Sequence, residues 1–352
     1  MKTNFSRSSV WCVLISTIIL IGLAGCDSAT NPIEDTSEPE PNVKLTLNTI
    51  NPGDIIQVTS DPADQTNPDF SVDRVVYDDN RNGNSDIYTY CLKTGTETRI
   101  TSDPSDQFDP NVSNGQIVWV DERVESGQDI FFLDLADMQE VQLSNTAEPY
   151  NDNNPEITGD YVIWHRGFQP WLYSVYVVSE DTTFSIEITG PGDGGYGISG
   201  DRLAITGYDL DDTSSLWLCD LSGQTEDCEY LLDGGSVAYP DIDGDHIVWQ
   251  DDRNGNNDIF LYDLATNTET QITSNSAEQR SPLISGNYIV WVDTRNGNDD
   301  IFLYNLETQT ETQLTTDSSD QRNPSLYGNY IVWEDNRNGN WDIFLYEIPG
   351  NE

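Results

Sequence analysis

Histidine is almost missing from this chain: His165 and His246 are the two in 352 residues. A histidine-rich metal centre cannot be assembled from so few, and His246 stands where Tyr161, Tyr288 and Tyr330 stand in other segments, which suits a packed strand residue. Positive charge is also scarce, with 15 Lys and Arg against 62 Asp and Glu and a net charge of −47. Such a surface repels phosphate backbones and excludes nucleic acid as a partner. The acidity is spread along the whole chain, which suits solubility in a saline medium, with attraction of cations or of a basic partner as the alternative. Gly-x-Ser-x-Gly elbows, His-Glu-x-x-His helices and phosphate loops are absent too. With no constellation of unlike reactive groups, the expectation is a protein that is not an enzyme and carries no cofactor and no metal.

Long apolar runs are lacking as well, apart from Val10 to Ala24, which follows Lys2 and Arg7 and is short for a membrane span. The run ends in Leu23-Ala24-Gly25-Cys26, which resembles the lipobox of bacterial lipoproteins. That resemblance implies a signal peptide over 1–25, lipidation of Cys26, and export to the cell envelope with the lipid as the membrane anchor, on the periplasmic face or the cell surface. Residues 26–42 are acidic, proline-bearing and poor in apolar side chains, the composition of a flexible tether. Residues 43–352 form the folded part. Of five cysteines, Cys12 lies in the signal and Cys219 and Cys228 flank a turn, which predicts a disulfide between neighbouring strands. Cys91 is left over and reads as a small packed side chain.

The folded part repeats. Units begin near Gln57, Arg99, Gln142, Glu187, Glu229, Gln271 and Gln313, at spacings of 42 to 45 residues. The segment from Gln271 to Trp291 matches that from Gln313 to Trp333 position by position across much of its length. This period is one blade of a β-propeller. Each unit holds a short strand A after a proline, apolar strands B (Tyr288 to Val292) and C (Ile301 to Leu306), and a polar strand D. Trp119, Trp164, Trp249, Trp291 and Trp333 recur on strand B, with Tyr77 and Thr206 in their place elsewhere, and read as blade-to-blade packing residues. The last unit lacks a strand D, and Ile55 to Thr59 matches D with no blade before it. The expected fold is therefore an all-β, seven-bladed propeller of four-stranded antiparallel blades, monomeric, closed by the N-terminal strand completing the last blade.

The segment from Asp251 to Thr273, Asp-Asp-Arg-Asn-Gly-Asn-Asn-Asp-Ile-Phe-Leu-Tyr followed by a Thr-Glu-Thr-Gln strand, resembles the TolB-like propeller repeat and is similar to repeats of archaeal surface-layer proteins. The resemblance covers nearly everything after residue 50. It implies an envelope setting and protein-protein contact, and so a non-catalytic interaction scaffold. The alternative is a carbohydrate-binding or carbohydrate-cleaving propeller at the cell surface. The partner is accordingly an unidentified envelope protein or a glycan.

Four blades carry Asp-x-Arg-Asn-Gly-Asn-x-Asp, and the pattern tempts one towards calcium. If Asn82-Gly83 forms a type I′ turn, Asp79 faces Asp86 with Arg81 beside both, so the set reads as an Asp-Arg-Asp clamp. The same trio recurs as Asp251, Arg253 and Asp258; Asp293, Arg295 and Asp300; and Asp335, Arg337 and Asp342. Blade 2 keeps it as Asp121, Arg123 and Asp129 without the Asn-Gly. For ligand contact the candidates are Gln65, Gln107, Gln279 and Gln321 in the D-to-A loops, expected to ring the channel mouth, and the blade 3 aromatics Phe168, Trp171 and Tyr173. Blade 4 adds a glycine-rich D-to-A segment from Gly190 to Gly197.

Overall fold

The computed structural model describes residues 50–124, 127–145, 151–167, 172–187, 195–208, 214–223, 227–233 and 236–350. Cys26, the 26–42 tether, Phe168 and Trp171 lie outside the described residues. None of the helices among these residues is long and apolar enough to cross a membrane.

Seven four-stranded antiparallel sheets follow one another in chain order. Blade 1 is β2 (Gln65–Ser71), β3 (Arg74–Asp79), β4 (Asp86–Cys91) and β5 (Thr96–Arg99), and the later blades repeat this meander. The seventh runs β26 (Gln321–Tyr327), β27 (Tyr330–Asp335), β28 (Asp342–Glu347) and then β1 (Ile55–Gln57), with Ile55 opposite Tyr346 and Gln57 opposite Phe344. The first strand thus closes the ring by completing the last blade, which removes two free sheet edges.

Strands B and C are apolar on both faces because each sheet is sandwiched between two others. One core cluster joins Val290 and Ile301 of blade 6 to Ile331, Trp333 and Phe344 of blade 7. Trp119, Trp249, Trp291 and Trp333 are fully buried and stack on Phe131, Phe260, Phe302 and Phe344 of the next strand. Strand D faces water: β9 (Gln139–Gln142) and β21 (Thr268–Gln271) are exposed throughout.

Polar side chains of the innermost strands stitch neighbouring blades. Asp69 accepts the Val112 amide at 2.7 Å, Asn111 that of Ile157 at 2.9 Å, and Asp241 that of Ile284 at 2.7 Å. Across the closure, the Ser325 hydroxyl donates to Asp69 at 2.6 Å. Cys219 is bonded to Cys228 between β16 (Ser214–Asp220) and β17 (Asp227–Asp233). Cys91, read from sequence as a small packed side chain, is buried and disulfide-bonded.

The Asn-Gly loop departs from the expected turn. The amide of Gly83 bonds to the Asn80 carbonyl at 3.0 Å, and Gly83, but not Asn82, is left-handed. A type I′ turn would need both. The register of Asp79 opposite Asp86 holds all the same.

Candidate functional site

Strand A begins earlier than its proline suggests. Between Thr66 and Asp69 the register slips by one bulge, and the same slip recurs in five other blades. Inside each bulge one residue takes a left-handed backbone just before the proline: Asn67, Asp109, Asn154, Tyr239, Ser281 and Asn323. In blade 4 the equivalent is Gly195, with Tyr196 in place of the proline. The bulge turns these residues, and those just after the proline, into the central channel, a cavity of about 830 Å³. That is room for a small ligand.

The bulge also corrects the expected glutamine ring. Gln65, Gln107, Gln279 and Gln321 are fully buried first residues of strand A, not loop residues. Gln65 stands opposite Asp79 and donates to the Ala63 carbonyl at 2.8 Å, and the others make the same local bond. The channel lining begins two residues further on, at Asn67, Asp109, Ser281 and Asn323. Tyr173 is equally withdrawn, being 2% exposed and packed edge-on against Tyr196 within the core.

The arginine motif is structural, with a different third member. Arg253 holds Asp251 through two hydrogen bonds of 2.5 and 2.9 Å, reaches Glu269 of strand D at 2.6 Å, and lies 4.5 Å over the Phe260 ring. Arg81, Arg123 and Arg295 do the same with Asp79, Asp121 and Asp293 and with Glu97, Glu140 and Glu311. The second aspartate is not clamped by this arginine. Asp258, Asp300 and Asp342 take the side-chain amides of Gln271, Gln313 and Gln57, while Asp86 pairs with Arg99. In the closing blade Arg337 keeps only Asp335, because Ile55 occupies the place of the glutamate. The arrangement is thus Asp-Arg-Glu plus Asp-Gln. Burial alone pushes the Asp251 carboxyl up, but the Arg253 hydrogen bonds and charge hold it below the usual carboxylate range. Arg253→Met is therefore expected to lower stability by about 3 kcal/mol, read as a fall in Tm, because a buried carboxylate loses its counter-charge. An unchanged Tm would reduce the clamp to a surface ornament.

The chemistry in the channel rests on carboxyls that sequence reasoning passed over. Asp69, Asp109, Glu156 and Asp241 all line it and are half-buried there. Asp69 and Asp241 spend their oxygens on the stitches between blades. Asp109 and Glu156 accept no hydrogen bond from the described residues. Burial pushes Asp109 up to about 7, with repulsion from Asp78 and Asp69 adding to it. Burial raises Glu156 well above the carboxylate range, and Asp241, Asp69 and Asp109 push the same way. Asp241 is raised by burial to about 7 despite the amides of Ile284 and Ile242. No Lys, Arg or His lines the channel among the described residues. Two unpartnered acids beside two engaged ones, at different proton affinities, can divide the roles of proton donor and proton acceptor.

No known family matches the sequence, and no curated protein does. The fold has many relatives among solved structures. The β-propeller domain of the Trilobed protease from Pyrococcus furiosus is similar over 81% of this chain and 95% of its own, at TM-score 0.67 and 11% identity. An oligogalacturonate lyase from Vibrio parahaemolyticus is similar over 84% of this chain and 93% of its own, at TM-score 0.61 and 12% identity. An acylaminoacyl peptidase from Pyrococcus horikoshii is similar at TM-score 0.63 and 13% identity, this chain spanning 52% of its length. At such identities the likeness establishes the fold. It also corrects the expectation of a non-catalytic, protein-binding scaffold: solved structures similar to this chain include oligogalacturonate lyases and peptidases, so the fold gives no ground for excluding an enzyme.

Proposed function

We propose that this protein is a carbohydrate-active propeller whose site is the central channel, with Glu156 and Asp109 as the working pair. The observation that carries the reading is the pair itself: two carboxyls without a hydrogen-bond partner among the described residues, in one amide- and hydroxyl-lined channel, both with raised proton affinity. Glycoside hydrolysis needs such a pair. Glu156, whose burial strengthens its hold on the proton, gives that proton to the glycosidic oxygen as the bond to the anomeric carbon breaks. Asp109, ionised above about pH 7, takes a proton from the attacking water, whose oxygen bonds to that carbon. Asn67, Asn154, Ser281 and Asn323 at the mouth supply neutral donors and acceptors for sugar hydroxyls.

The oligogalacturonate lyases supply a sugar-cleaving precedent for the fold, one of them solved with manganese. Among the described residues no group of three or more His, Cys, Asp and Glu side chains is arranged to hold a metal ion, so no step here is routed through one. The setting we propose is the cell envelope, supported by the lipobox-like Leu23 to Cys26 and by the TolB-like repeat. The test is a reducing-end assay of the full chain on neutral and acidic polysaccharides. Release of new reducing ends from a neutral polysaccharide is the expected result. If no polysaccharide is cut or bound, the reading fails.

A further inference from the structure

Tyr239 does not fit its place by any folding rule. It is the bulge residue of blade 5, where the other blades use Asn67, Asp109, Asn154, Gly195, Ser281 and Asn323. Four of these are Asn or Asp, which tolerate a left-handed backbone, and Gly195 adopts it freely; only Ser281, a small side chain, shares the strain of Tyr239. A tyrosine at φ 51° immediately before Pro240 is strained. Nothing in the fold offsets that strain, because the side chain is 52% exposed. Its hydroxyl makes no hydrogen bond, and its ring meets no other ring, among the described residues. Other exposed aromatics have ring partners: Tyr230 packs on Trp217 and Tyr327 on Phe70.

The neighbouring blade leaves room for it. Gly195 would carry a Cβ only 3.4 Å from the Tyr239 Cα, and Gly197 one 2.6 Å from the Asp241 Cα. The two glycines let strand A of blade 5 press against blade 4, with Tyr239 at the channel lining. Two blades back, Glu156 projects into the same channel.

Resting on the glycan reading of the channel, we propose that Tyr239 is the residue that determines specificity: a stacking platform for the apolar C–H face of a pyranose in a glycan without acid groups. An aromatic face packs on a sugar ring through dispersion and C–H contacts that need no charge. The charge rule follows from the lining, which among the described residues brings carboxyls and no cation to the ligand. A uronate would enter with its own carboxylate unpaired, at a cost that a neutral sugar does not meet.

The experiment is calorimetric titration of the full chain with three probes of equal length: a neutral β-glucan oligosaccharide, a neutral galactan oligosaccharide and oligogalacturonate. We expect binding of a neutral probe and none of oligogalacturonate. Tyr239→Asn, the residue used at the same place by three other blades, is expected to lose about tenfold in affinity for the bound probe with Tm unchanged or raised. Tyr239→Phe is expected to stay within about threefold, since stacking needs the ring and not the hydroxyl. Wild-type affinity in Tyr239→Asn, or oligogalacturonate binding as tightly as a neutral probe, overturns this proposal while leaving the channel as a glycan site. A wild-type chain that binds none of the three overturns both.

Discussion

Glu156→Gln and Asp109→Asn should each lose at least about a hundredfold in kcat on a neutral polysaccharide, with KM little changed. Neither substitution alters size. Neither oxygen pair accepts a hydrogen bond from the described residues, so the loss is chemical. The pH dependence separates the two roles. Wild-type activity should rise as Asp109 loses its proton near pH 7, and the alkaline fall should report Glu156, whose proton affinity burial raises. Glu156→Gln should flatten the alkaline limb only.

Stability gives a second readout of the same groups, with a sign that follows from linkage. Asp109 binds its proton more tightly folded, near 7, than unfolded, near its ordinary 3.8. The folded state therefore gains from Asp109 at low pH, and that gain is lost as pH rises from 3.8 through about 7. At pH 8 the ionised carboxylate is a net burden that asparagine does not carry. Asp109→Asn should accordingly be more stable than wild type at pH 8, by about 1–2 kcal/mol after allowance for channel water, and nearly equal to it at pH 3, below the unfolded value. Asparagine suits the left-handed backbone there, as Asn67 and Asn154 show. A thermal melt at the two pH values checks this. An equal offset at both would mean that Asp109 is ionised throughout. A variant that is more stable and inactive is the signature of a group kept for chemistry at a cost to the fold.

The ring itself could be read from the chain because its cause is periodic. Strands B and C must be apolar on both faces in any blade, so Trp119, Trp249, Trp291 and Trp333 announce themselves, and the missing last strand D fixes the closure by Ile55 to Gln57. The channel could not be read in the same way. Its geometry depends on a bulge that moves strand A by one residue, which sends Gln65 into the packed interior and Asp109 into the channel. Proline position alone suggests the reverse. Glu97 was missed as the third partner of Arg81 because it comes from strand D, whose register against strand C sets the contact. Asp109 and Glu156 were hidden among 62 acidic residues. One signal was available: the position before the repeated proline is Asn in three blades, and the departures at Asp109 and Tyr239 both fall in the channel. In a repeat protein, the positions that break the pattern at a shared structural place are the ones to examine.

Gly197→Ala is expected to cost about 2–4 kcal/mol and to lower Tm by several degrees, although glycine here is not needed for its backbone freedom. An added Cβ would sit 2.6 Å from the Asp241 Cα and 2.9 Å from the Pro240 carbonyl oxygen. Both are backbone atoms, which cannot rotate away, so blade 5 must retreat from blade 4. Gly200→Ala is the control: its surroundings are open, and only its φ of +62° is unfavourable. That substitution should cost about 1 kcal/mol. The two variants differ in function as well. Retreat of blade 5 carries Tyr239 and Asp241 with it, and Asp241 is one of the groups that raises Glu156. Gly197→Ala should then lose glycan affinity at temperatures where it is still folded, while Gly200→Ala keeps it. A Gly197→Ala protein with wild-type Tm and binding would mean that the blades separate freely, and that their close approach at this point positions nothing.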